Sequence, residues 1–134
     1  QADYKKQMWR RQREAEILNT WTEKENFADV MGNYLKSRNI CNVAIYGYSR
    51  MGVLLQRELI NDGICVSYII DRKGRLLECS LPVYTLEDDL PLVDAIIVSP
   101  VELYDEINGL LQQKADLEVM DLGKMIEEIN RSFI

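Results

Sequence analysis

The residues best suited to chemistry are Gly47-Tyr48-Ser49-Arg50-Met51-Gly52, which follow the apolar run Val43-Ala44-Ile45-Tyr46 and open a segment with helical spacing. Gly47 permits a tight turn, and Gly52 lets the following helix sit close against the strand. Unpaired N–H groups of the first helical turn then converge on one point, where the helix dipole favours a phosphate. A site of this kind needs an acidic residue about 20 positions on, at the end of the second strand, to accept hydrogen bonds from a ribose diol. Asp71 stands 24 positions after Gly47, directly behind Ile69-Ile70. Arg72 beside it would attract a 2′-phosphate instead, so NAD and NADP both stay open as ligands. Ser99 and Pro100 follow a further apolar run, Ala95-Ile96-Ile97-Val98, and complete the set.

Ser49 stands where the dinucleotide pattern G-x-G-x-x-G has its middle glycine. A Cβ at that point pushes a pyrophosphate outward, although a serine hydroxyl donates to phosphate and Arg50 adds a charge-assisted contact. Each of these residues also has a plain structural reading. The glycine turn serves a strand-to-helix connection without a ligand, Asp71 starts the Asp71-Arg72-Lys73-Gly74 turn, and Ser99 caps a helix. No catalytic residue is assigned. The chain has no His, Tyr104 is followed four positions later by Asn108 rather than Lys, and Gly52-Val53-Leu54 is not a Gly-Lys-Ser/Thr phosphate loop.

The elements that must position these residues are legible in the hydrophobic period. Asp3 to Glu25 has no Gly or Pro and is dense in helix formers, with Tyr4, Met8, Ala15, Ile17, Leu18 and Trp21 spread over half the circumference. A second helix starts at Asn26 as N-cap, runs through Phe27, Val30, Met31, Tyr34 and Leu35, and closes at Asn39 in a left-handed conformation. Strands are expected at Val43–Tyr46, Cys65–Ile70, Val83-Tyr84, Ala95–Val98 and Leu117–Met120. Helices are expected from Met51 to Asn61, stopped by Asp62-Gly63, and after Ser99-Pro100-Val101-Glu102, which reads as a capping box. Leu103, Ile107, Leu110 and Leu111 give the latter its apolar stripe. Thr85-Leu86-Glu87-Asp88 reads as a capped helical turn, and Asp121 caps a last helix using Leu122, Met125, Ile126, Ile129 and Phe133. Apolar strands alternating with helices make an α/β fold, a Rossmann-like parallel sheet with helices on both faces. Residues 41–134 form this domain and residues 1–40 an N-terminal helical extension. The stretch from Asp71 to Val83 is short for a crossover helix, so the third strand should be small.

Composition narrows the partners. Residues 1–40 carry 8 basic and 6 acidic side chains, residues 41–134 carry 8 and 16, and the acidic body excludes a nucleic-acid face. The cluster Lys5, Lys6, Arg10, Arg11 and Arg13 reads as a solvated helix face. No apolar run approaches the ~20 residues of a membrane span. Cys41, Cys65 and Cys79 form no metal or redox pair, and Cys41 and Cys65 are expected in the core. Reduced thiols and no export signal point to the cytoplasm. The chain opens on Gln1 and reads as trimmed or as one domain of a longer protein. The wide apolar arc of the first helix, with Trp9 and Trp21, points to a homodimer built on that helix.

Val43 to Gly52, with Tyr68-Ile69-Ile70-Asp71 and Leu81-Pro82-Val83-Tyr84, resembles the small Rossmann-type modules of bacterial polysaccharide-biosynthesis proteins, among them the front domains of sugar O-acyltransferases and nucleotide-sugar dehydratases. The resemblance covers about Asn42 to Leu122, and members usually have Gly at the position of Ser49. It implies binding of a nucleotide-sugar or dinucleotide in glycan metabolism, without a particular reaction. The expectation is therefore a non-catalytic or partial nucleotide-binding module. The alternatives are an NAD-dependent sugar-modifying enzyme with its catalytic part elsewhere, and a structural interaction domain.

Overall fold

The computed structural model describes residues 2–23, 30–114 and 117–131, so the expected N-cap Asn26, its neighbours Glu25 and Phe27, and Phe133 lie outside the described residues. In strand β1 (Asn42–Tyr46), Val43 and Ile45 turn to one face and Ala44 and Tyr46 to the other, all buried. Burial on both faces is what a strand apolar throughout demands. Strands β2 (Cys65–Ile70), β3 (Val83–Tyr84), β4 (Ala95–Val98) and β5 (Val119–Asp121) join it in an all-parallel sheet of order β3-β2-β1-β4-β5. The chain builds outward from β1 to β2 and β3, then returns to the other side of β1 for β4 and β5. The order therefore reverses between β1 and β4.

Four helices cover one face. They are α1 (Ala2–Glu23), α2 (Val30–Lys36), α3 (Arg50–Asn61) and α5 (Leu122–Arg131), which share a core with Val43, Ile45, Val66, Ile69 and Ile97. The other face is covered by α4 (Tyr104–Lys114), through Ile107 and Leu111, and by the segment carrying Tyr84, Leu86, Leu90 and Val93. A register shift between Val43 and Ala44 leaves Ser67 without a Cα partner on β1. That bulge is why Val66 and Ile69, three positions apart, share a core.

Chain stops follow the local chemistry. Asn39 has φ +62, and Ile40 N–H bonds Leu35 O at 3.0 Å, while Gly63 has φ +81 and Ile64 N–H bonds Leu59 O at 2.9 Å. Both are left-handed closures that satisfy helix-end carbonyls. Asp121 caps α5 as expected, its Oδ1 accepting from Gly123 N–H at 2.9 Å. Thr85 to Asp88 is the capped single turn expected, with Asp88 Oδ2 accepting from Thr85 N–H at 2.8 Å, Thr85 Oγ1 accepting from Glu87 N–H at 3.3 Å and Asp88 N–H donating to Thr85 O at 3.1 Å.

Three expectations need correction. Cys41 and Cys65 are exposed, because they sit at the amino ends of β1 and β2, on the rim of the sheet rather than in its layer. The last strand lies two residues later at its start than expected, Val119–Asp121, set by pairing with Ile96 to Val98. Trp21 and Ile17 are in the molecule's own core, and α1 packs on α5 and the 3-10 turn Val101–Leu103. That contact absorbs much of the wide apolar arc. Tyr4, Met8 and Trp9 stay exposed.

Candidate functional site

Gly47 closes β1 with φ +91, its N–H donating to Ile70 O at 2.8 Å. A Cβ there would lie 2.8 and 2.9 Å from Pro100 Cδ and Cγ and 2.9 Å from Ser99 Oγ. A Cβ on Gly52 would lie 2.1 Å from Gly47 O. Both glycines are thus demanded by geometry, one by backbone conformation and crowding, the other by the approach of α3 to the end of β1.

Between them the turn is held rigid. Tyr48 N–H donates to Asp71 Oδ2 at 3.0 Å, and Tyr48 Oη donates to Gln56 Oε1 on α3. Burial first, then a hydrogen bond with Cys79, raises the Tyr48 phenol above its ordinary value, so it stays a neutral donor. Asp71 Oδ1 accepts from Lys73 N–H at 2.9 Å. A carboxylate has about four acceptor positions, so two remain for a ribose diol. Ser49 is the N-cap of α3, yet its side chain makes no capping hydrogen bond, and its φ of −88 does not need glycine. The first turn of α3 therefore keeps N–H groups that no side-chain cap takes up.

These pieces border a cleft of about 260 Å³ at the carboxyl ends of the strands, lined by Gly47, Tyr48, Ser49, Asp71, Arg72 and Pro100 among others. A second cavity of about 270 Å³ shares Tyr46, Asp71 and Arg72 with it and extends past Thr85, Leu86 and Glu87. Both lie at the end of the sheet where open α/β folds bind ligands, the first at the order reversal itself. Arg72 and Lys73 bring positive charge to a predominantly acidic domain.

Four expected site residues fall elsewhere. Arg50 is exposed at the start of α3 and does not line the cleft, while Met51 and Gly52 are buried in the α3–sheet contact. Ser99 is wholly buried, its one hydroxyl proton shared between Tyr46 O at 2.9 Å and Gly47 O at 3.1 Å. It ties β4 to the end of β1 instead of capping a helix or meeting a ligand. Pro100 precedes a 3-10 turn with no side-chain cap, and α4 starts only at Tyr104. Glu102, expected in the capping box, lies 3.6 Å from Arg10 of α1.

Tyr46, Lys73, Leu77 and Leu103 also line the first cavity without having been singled out. Tyr46 had a readable signal, being the last strand residue before Gly47. Burial, chiefly, raises its phenol pKa, so it too offers a neutral O–H. Among the described residues no group of three acidic or Cys side chains is placed to hold a metal, and no helix is long and apolar enough to cross a membrane. No family model, curated protein or solved structure matches this chain.

Proposed function

We propose that this chain is a nucleotide-binding module, whose ligand lays its phosphates on the first turn of α3 and its ribose on Asp71. The observation that carries this reading is the coincidence of three features at one cleft. These are the Gly47 turn, a helix start whose cap residue makes no side-chain bond, and a carboxylate with acceptor capacity to spare. The two cavities that share Asp71 are each a little smaller than the ~300–1,000 Å³ of typical small-molecule sites and adjoin through Tyr46, Asp71 and Arg72. NAD, NADP and a nucleotide-sugar all meet these requirements, and the resemblance to polysaccharide-biosynthesis modules supports the last. The reading is of a module that holds its ligand, and no residue of the cleft is assigned a catalytic role. The cytoplasm is the compartment proposed, where such nucleotides and reduced thiols coexist.

A thermal-shift panel of NAD(H), NADP(H), UDP-sugars and coenzyme A tests this. A ligand at 100 times its Kd adds about 2.7 kcal/mol to stability. In a domain of this size that raises Tm by on the order of 10 °C. Gly47→Val, folded by circular dichroism, should abolish the shift. A panel without any shift overturns the reading, and so does an unchanged shift in the folded variant.

A further inference from the structure

Helix α1 is segregated by charge. After Asp3 it carries Lys5, Lys6, Arg10, Arg11 and Arg13 with no acid among them, and beyond these Glu14, Glu16 and Glu23 with no base. Its two halves also differ in what they bury. Ile17 and Trp21 belong to the core, whereas Tyr4, Met8 and Trp9 are 65%, 43% and 52% exposed. Arg10 lies near Glu102, and Arg13 is bonded to Glu127 and near Glu16. Lys5, Lys6, Arg11 and Glu14 make no ion pair among the described residues. Cations at the amino end of a helix also oppose its macrodipole. The unused half of α1 is therefore apolar, cationic and less stable alone than when covered by something acidic.

We propose that a second copy of this chain covers it, in a C2 dimer whose two α1 helices run antiparallel. A two-fold axis across the middle of α1 sets the cationic aromatic half of each helix along the acidic half of its partner. Lys5 and Lys6 then approach the Glu14 and Glu16 end, and Tyr4, Met8 and Trp9 leave water. A parallel pair would stack like charges instead. The 22 residues of α1 span roughly 33 Å, enough for both halves to engage at once. A second copy offers the cationic half of α1 the Glu14 and Glu16 half as a complement and takes that half's charge in return, whereas an anionic bilayer meets only the cations.

Deleting α1 is not a fair test, because Ile17 and Trp21 are core residues. Charge exchange on the full chain is. Sedimentation at about 50 µM, well above a micromolar Kd, should show a dimer that weakens as salt screens the pairing. Lys5→Glu with Lys6→Glu should raise the dimer Kd about tenfold or more, a loss of roughly 1.4 kcal/mol. Adding Glu14→Lys and Glu16→Lys to that variant should return Kd to within about threefold of the original. Met8→Glu, also on the surface, should give a monomer with an unchanged far-ultraviolet spectrum. A monomeric parent chain overturns the proposal, as does a quadruple variant no tighter than the double. Binding of a monomeric parent to phosphatidylserine vesicles would assign the helix to a membrane instead.

Discussion

Replacing Gly52 by alanine would set a methyl carbon 2.1 Å from the Gly47 carbonyl oxygen and 3.0 Å from its carbon. The obstacle is backbone, so α3 or the end of β1 must move by about 1 Å before the contact is tolerable. Overpacking of this kind costs about 1–3 kcal/mol. The displaced oxygen also accepts from Ser99 Oγ at 3.1 Å, and straining a neutral hydrogen bond costs about 0.5–1.5 kcal/mol more. Alanine's better helix propensity returns up to ~1 kcal/mol. The net loss expected is about 2 kcal/mol. Gly109 of α4 is the control, since a Cβ there meets nothing within 4 Å. Gly109→Ala should gain about 0.4–1 kcal/mol. The two helical Gly→Ala variants should thus differ by roughly 3 kcal/mol, with midpoints in urea more than ~1 M apart. Urea unfolding followed by circular dichroism measures this. A Gly52→Ala protein within ~0.5 kcal/mol of the parent would refute the close approach of α3 to β1, and with it the geometry assigned to the turn.

Ser49→Gly should leave stability within a few tenths of a kcal/mol, because Ser49 makes no capping bond and its φ is ordinary. Calorimetry should find dinucleotide affinity held or improved, whereas a marked loss would mean that the hydroxyl contacts the ligand. Asp71→Asn loses one of the acceptors that hold Tyr48 N–H and Lys73 N–H. It should cost about 1–2 kcal/mol in urea melts and weaken nucleotide binding about tenfold or more, and unchanged affinity would remove the ribose contact. Burial, chiefly, raises the Tyr34 and Tyr68 phenols from 10 to about 12. The unfolded chain releases those protons first, so the stability they carry is whole below pH 10 and is lost as pH climbs toward 12. Tyr68→Phe, which also gives up the bond to Pro91 O, should flatten that alkaline decline. A variant with the parent's slope would place the titration elsewhere.

Much of the fold was legible because local rules and tertiary packing agree. Val43–Tyr46, Cys65–Ile70 and Ala95–Val98 were readable as strands because they are apolar on both faces and bounded by Gly47, Asp71 and Ser99. Asn39 and Gly63 were readable as stops because left-handed closure is a property of single residues. Ser99-Pro100-Val101-Glu102 misled because its two polar side chains found distant partners, β1 carbonyls for Ser99 and Arg10 for Glu102. Cysteine burial misled for a related reason. Apolar neighbours in sequence do not tell whether a residue lies in the sheet's layer or on its rim.

The candidate site shows the same division, and the division bears on what the cleft takes. Gly47, Gly52 and Asp71 were legible because turn chemistry and spacing specify them. Ser49 was legible only as a departure from a pattern, and its meaning depends on a dihedral angle no sequence displays. Had the backbone there been left-handed, serine would store strain and the turn would be a damaged dinucleotide loop. At φ −88 it stores none. The serine therefore costs the fold nothing at this dihedral, and sets a Cβ and a hydroxyl in the lining of the cleft, next to N–H groups that its side chain leaves uncapped. A pyrophosphate that must press against the backbone is disfavoured there. A phosphate that stands one atom further out and accepts from the serine hydroxyl is not. On the proposed reading this bears on NAD, NADP and nucleoside-diphosphate sugars alike, since each carries a pyrophosphate, and Ser49→Gly should hold or improve affinity for all of them.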